Sequence, residues 1–256
     1  MISIGIVSSE SLLMSGPLGA LAQMTYPGRL IILGRDPSKR SNVVIYAITG
    51  RSPASRARLL RREENAVWAR PAEPLLVQQG NLELLIYPAI VAGRGIAISN
   101  GRQTLDIDLQ AEDDPVSVLD KGLARWSFEP DDPCFTPRIS GCILASDRAA
   151  LSVIRRSEDG AALRNFFEIP LVAGRASFVA TYAGSPRDPL PSFEGEPVAL
   201  ALEWESAASA ADAVYESLGP KSGGPDFRVA VACLFARAED MSQFELRIIN
   251  RQEGMR

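Results

Sequence analysis

Two apolar runs early in the chain, 29-RLIILGR-35 and 43-VVIYAITG-50, are rich in β-branched residues and lack a helical period. The turn-rich 36-DPSKRSN-42 joins them, which predicts a β-hairpin. Runs of the same kind predict strands at 82–87, 95–99, 139–145, 151–156, 176–182, 198–205, 228–237 and 245–250. The stretch 55-SRARLLRRE-63 fits a basic helix or a strand equally. Helices are fewer. Asp114-Pro115 opens one that puts Val116, Leu119, Leu123 and Trp126 on one face. Residues 207–218 form a second, closed by Gly219-Pro220. Residues 11–24 are mostly apolar, but Gly16-Pro17 breaks or kinks any helix there. About ten strands against two or three helices, without βαβ alternation, predict an α+β domain of mainly antiparallel sheets packed face to face. Neither an internal repeat nor a shift in composition divides the 256 residues, so one domain is expected.

Composition narrows the chemistry. The chain has no histidine, so acid–base work falls to Asp, Glu, Tyr, Lys, Cys or water. Three cysteines (Cys134, Cys142, Cys233) without C-x-x-C spacing fit a reducing compartment and argue against structural zinc. A net charge of −4 argues against nucleic acid or an anionic membrane as partner. The first ten residues lack the basic start of a signal peptide, and no apolar run has membrane-spanning length, so a cytoplasmic location is expected. Only three of the 27 cationic residues are lysine, so an anionic ligand mostly meets guanidinium forks.

Polar clusters sit at the ends of the expected strands. In 50-GRSPASRAR-58, Arg51, Arg56 and Arg58 could grip a phosphate or form a solvated basic face paired with Glu63 and Glu64. The Asn-Gly of 99-SNGRQT-104 is also a plain hairpin turn. In 126-WSFEPDDPCFTPRISG-141, Pro130, Pro133 and Pro137 stiffen a loop that holds Glu129 and Arg138, as site or as rigid surface. The loop 181-TYAGSPRDPLPSFEGEP-197 is too long for a simple connector, and Tyr87 closes a strand before Pro88.

Taken in order, Y-P-G-R-L-I-I-L-G (26–34), Y-x-I-x-G-R-S-x-x-S-R (46–56), S-N-G-x-Q-T (99–104), F-E-P-D-x-P-x-F-T-P-R-I-S-G (128–141) and T-Y-x-G-x-x-x-x-P-L-P-S-F-E-G-E-P (181–197) resemble the archaeal-type, single-function IMP cyclohydrolase family. The resemblance covers roughly residues 26 to 240 and implies an Ntn-hydrolase-like fold, a four-layer α-β-β-α sandwich with two mainly antiparallel sheets. It implies closure of the purine ring of a formamido-imidazole-carboxamide ribotide to inosine 5′-monophosphate and water, with a small-molecule nucleotide as partner. Neither metal nor cofactor is implied, and a homo-oligomer stays open.

The same resemblance makes Glu129 the proton-shuttling carboxylate, its pKa raised by burial, and Tyr87 a hydrogen-bond partner of the formyl or carboxamide oxygen. Arg29, Arg51, Ser52 and Arg56 match positions around the nucleotide, with Arg56 assigned to phosphate. Asn100, Thr104, Thr136 and Arg138 frame base and ribose, while Tyr182 and Glu194 are wall residues. The chain departs from relatives at Cys134, where they tend to carry Asn, at Leu105, and at residues 184–188. Two other readings therefore stand beside the first: a cyclase or amidohydrolase acting on a different substrate, and a non-catalytic nucleotide-binding protein.

Overall fold

The computed structural model describes residues 16–72, 82–111, 113–221 and 223–253. β1 (Arg29–Arg35) and β2 (Ser41–Thr49) form the expected hairpin, with Ile31 opposite Tyr46 and Leu33 opposite Val44. Nearly every residue of both strands is buried, because both faces are covered. That is why they read as unbroken apolar runs rather than alternating ones. β10 (Arg175–Ala180) adds to β1 and carries β11 (Val198–Ala201), while β12 (Arg228–Arg237) adds to β2 and carries β13 (Phe244–Asn250). The result is a six-stranded antiparallel sheet.

The second sheet is a seven-stranded antiparallel meander in chain order: β3 (Arg58–Glu63), β4 (Ala66–Pro71), β5 (Tyr87–Ala92), β6 (Ile96–Ser99), β7 (Arg138–Ile143), β8 (Ala149–Arg156) and β9 (Ala162–Ile169). The sheets stack with β1 over β7 and β12 over β3, and they share one apolar core. Gly141 lies where β7 meets β1. A Cβ there would stand 2.9 Å from Leu151 Cδ2 and 3.0 Å from Leu33 Cδ1.

Among the described residues one helix covers each outer face, with three short α-helical turns elsewhere, α1 (Gly19–Ala22), α2 (Pro53–Arg56) and α3 (Leu82–Leu85), and a 3-10 turn at Arg102–Asp106. α4 (Pro115–Leu123) starts at Asp114, whose carboxylate accepts from Ser117 N at 2.8 Å, and packs Val118, Leu119 and Leu123 on β7, β8 and β9. α5 (Ala207–Ser217) is capped by Ser206 and packs Ala207, Ala210, Ala211 and Val214 on β12 and β13. These positions follow the i, i+3, i+4, i+7 stripe of a one-sided helix. The two stacked antiparallel sheets are the α+β sandwich expected from the strand count, and the helix, sheet, sheet, helix order is the layering implied by the resemblance.

The local differences have physical causes. The run 82–87 does not form a strand: Leu82–Leu85 make a helical turn, and β5 begins only at Tyr87. Leu and Glu are good helix formers, and a short apolar run does not distinguish the two states. The ambiguous 55–63 splits into the end of α2 and β3. Strand 198–205 stops at Ala201. Trp126 falls beyond the end of α4. The expectation for 11–24 lies partly outside the described residues; within them, one turn forms at Gly19–Ala22. No helix among the described residues is long and apolar enough to cross a membrane.

Candidate active site

At one end of the sandwich, where β1 begins, the backbone is pinned from both sides. Thr49 Oγ1 accepts from Gly28 N and donates to Gly28 O, each at 3.0 Å, and Thr181 Oγ1 accepts from Arg29 N at 3.1 Å. Gly28 has φ +75°, and a Cβ there would lie 2.1 Å from Thr181 Oγ1 and 2.6 Å from the Tyr182 ring. Gly28→Ala is therefore expected to lower stability by about 2–5 kcal/mol, combining left-handed strain with overpacking, as read from a denaturant midpoint.

This clamp aims Arg29 at the loop between α4 and β7. There Glu129 N donates to Thr136 O at 2.8 Å, and the Asp131 carboxylate turns back to accept from Thr136 N and Thr136 Oγ1. Thr136 Oγ1 also meets Tyr182 OH at 2.6 Å, which ties the loop to the 181–197 segment. Glu129, only 2% exposed, faces Arg29 Nη2 at 3.3 and 3.5 Å and Asn100 Nδ2 at 3.3 Å. These contacts are long for charge-assisted hydrogen bonds, so the carboxyl is held loosely. Burial raises its pKa above the usual carboxylate range, against the opposing pull of Arg29 and then Arg138.

Asn100 is fully buried and held on four sides. Its Oδ1 accepts from Ile139 N at 2.9 Å and Gln103 Nε2 at 3.0 Å, and its Nδ2 donates to Pro137 O at 2.9 Å as well as to Glu129. Two donors aimed at Oδ1 fix which way the amide points. Arg138 anchors the chain of bonds: its Nη1 donates to Gln103 Oε1 at 3.0 Å, its Nε donates to Ser127 O at 2.8 Å, and its guanidinium lies 4.8 Å from the Trp126 ring centre. Asn100→Ala strands the Ile139 N–H and the Pro137 carbonyl. The expected loss is about 2–4 kcal/mol in a denaturant titration, with Glu129 left without its neutral donor.

Above Glu129 opens a cleft of about 510 Å³, walled by Tyr26, Arg29, Arg51, Ser52, Ser55, Arg58, Leu84, Asp131, Cys134, Thr136, Tyr182 and Leu190. The volume suits a nucleotide-sized ligand. Over residues 26–239, which begin at the first of these wall residues, the chain matches the family model described as IMP cyclohydrolase-like protein. The chain belongs to that family. No curated protein matches it. Membership points to chemistry of cyclohydrolase type.

In this IMP cyclohydrolase-like chain the expected site residues fall into three groups. Glu129, Arg29, Arg51, Ser52, Thr136 and Tyr182 wall the cleft together. Asn100, Thr104, Arg138 and Tyr87 lie behind the wall. Thr104 Oγ1 bonds Gly101 O at 2.9 Å and the Ser99 hydroxyl, bracing the turn that carries Asn100. Tyr87 is fully buried, its OH 2.9 Å from Tyr46 OH. Arg56 and Glu194 lie off the cleft. The Arg56 guanidinium sits 5.9 Å from the Phe227 ring centre with its Nε on Gly50 O, and the exposed Glu194 pairs with Arg155 at 3.0 Å.

Several wall residues carried no individual sequence signal, Tyr26, Asp131 and Arg58 among them. Arg58 was visible only as one of the arginines of the 50–58 cluster. Cys142 lies inside β7, its thiol pushed up to about 12 by burial, which suits a packed strand residue rather than a nucleophile. Among the described residues, no three His, Cys, Asp or Glu side chains gather to hold a metal ion.

Proposed function

We propose that this cleft closes the purine ring of a 5-formamidoimidazole-4-carboxamide ribotide, giving inosine 5′-monophosphate and water, on an Ntn-hydrolase-like scaffold. One observation carries the reading: a buried carboxyl of raised pKa, paired loosely with a guanidinium, at the base of a nucleotide-sized cleft. Both reacting groups belong to one substrate, so holding them in contact supplies a large part of the acceleration. What remains is proton movement, for which a carboxyl titrating nearer neutrality is better matched than an ordinary one.

The steps balance as follows. The carboxamide nitrogen bonds to the formyl carbon while Glu129 takes one of its protons. The formyl oxygen becomes an oxyanion, which the Arg29 guanidinium stabilises. That oxygen then leaves as water, taking the proton held by Glu129 and a second one shed from nitrogen as the C=N bond forms. Asn100 orients the carboxyl throughout. Arg51, Ser52, Thr136 and Tyr182 position the nucleotide, and Tyr87, buried against Tyr46 behind the wall, supports the cleft from within.

Heavy-oxygen label in the formyl group tests the reading. The expected result is label in released water and none in the nucleotide product. Cys134 on the cleft wall, where relatives tend to carry an amide, favours the second reading, a cyclase or amidohydrolase with a different substrate. It wins if the ribotide neither binds nor reacts while another formamide or amide does. Tight nucleotide binding without turnover would support a non-catalytic nucleotide-binding protein.

A further inference from the structure

Three guanidiniums wall the cleft, and they differ in what balances them. Arg29 faces Glu129. Arg51 lies over the Tyr26 ring at 5.3 Å and pairs at 2.9 Å with Asp188, a largely exposed carboxylate on the 184–197 loop. Arg58, the first residue of β3, is only 8% exposed, and its buried Nε has no hydrogen-bond partner. No carboxylate stands within ion-pair distance of it among the described residues.

Holding a largely buried guanidinium with an unpartnered Nε is unfavourable, and an anion in the cleft would offset that cost. Glu129 acts on Arg58 only at longer range and is already engaged by Arg29. Arg29, Arg51 and Arg58 all act on the Tyr26 phenol, whose pKa burial raises against their pull, which places the three charges around one part of the wall. The hydroxyls of Ser52 and Ser55 border the same cleft. Forked donors with hydroxyls between them match the oxygens of a phosphate monoester.

We propose that Arg58 and Arg51 form the cleft's phosphate subsite, and that Asp188 is a built-in stand-in which holds Arg51 until a dianion displaces it. Asp188 is thereby a specificity residue: a dianion gains both guanidiniums at the expense of one solvent-screened ion pair, whereas a neutral nucleoside gains neither. This rests on the nucleotide reading above but not on ring closure.

The test is calorimetric titration of the full chain with inosine 5′-monophosphate, inorganic phosphate and inosine. Arg58→Met is expected to weaken the monophosphate about 10–100-fold, the range for a hydrogen bond to a charged group, with inosine changed less than about twofold. Asp188→Asn is expected to tighten the monophosphate and inorganic phosphate about two- to fivefold, the strength of an exposed ion pair, and to leave inosine unchanged. Arg58→Lys, which keeps the charge but loses the fork, should fall between wild type and Met, and it carries the test if the Met variant does not fold. The proposal is overturned if Arg58 variants weaken inosine as much as the monophosphate. It is equally overturned if they spare the monophosphate and only shift the pH profile of turnover, which would make Arg58 a partner of Glu129. Unchanged or weaker phosphate binding by Asp188→Asn rejects the stand-in. A protein that binds monophosphates in this way yet leaves the formamido ribotide untouched contradicts ring closure alone.

Discussion

Glu129→Gln is expected to lower ring closure by about 10²–10⁴-fold, the usual worth of a positioned general acid–base group, with little change in KM. Gln keeps the shape and an acceptor for Arg29 and Asn100, so circular dichroism should show the fold intact. The pH profile separates loss of chemistry from loss of structure. Burial holds the Glu129 pKa above the ordinary carboxylate range, so the ionised base is lost as pH falls through that raised value. Wild-type activity should show this acid limb, and the residual activity of the Gln variant should lack it. A Gln variant with wild-type turnover would remove Glu129 from the reaction.

Arg29→Met has the second large effect, on stability as well as turnover. Arg29 is the largest influence pulling the Glu129 pKa down against burial, and its side chain is itself only 11% exposed. Removing it leaves a buried carboxylate unpaired, which costs about 3–5 kcal/mol where that carboxylate must stay ionised. The sign with pH follows from the pKa. Without Arg29 the folded-state pKa rises further above the unfolded value, so the folded state binds the proton more readily, and stability falls as pH rises through the window between the two. The gap in unfolding midpoint between wild type and variant should therefore widen as pH rises above the ordinary carboxylate range. Turnover should fall together with the loss of the oxyanion partner, and what remains should show an acid limb at higher pH than wild type. A gap that stays constant as pH rises would mean that Glu129 does not depend on Arg29.

The parts of this fold that were legible are those whose sequence pattern reports burial directly. β1, β2 and β12 read as strands because both their faces are covered, leaving long runs without polar interruption. β9 pairs with one neighbour and alternates half-buried with exposed residues, so Arg164, Asn165 and Glu168 hide it among polar segments. β4 is six residues with Arg70 and Pro71 at its end, too short and mixed to stand out. The motif order marked Glu129, Arg29 and Asn100, but their meeting could not be read from the chain. Arg29 and Glu129 are 100 residues apart: Arg29 opens β1 of one sheet, and Glu129 lies in the loop that leads to β7 of the other. Within 50–58, composition could not decide which guanidinium faces inward. Arg56 ends a helical turn and swings onto Phe227, whereas Arg58 opens a strand and joins the wall. Such choices depend on where a helical turn gives way to a strand.

A structure of the protein with inosine 5′-monophosphate bound tests the central claim most directly, since that claim is that one cleft holds a single nucleotide against Glu129. The closing carbon of the purine ring is expected within about 3–3.5 Å of the Glu129 carboxyl, with Arg29 on the same side. A nucleotide seated elsewhere, or a base turned away so that Glu129 faces only protein, would contradict it.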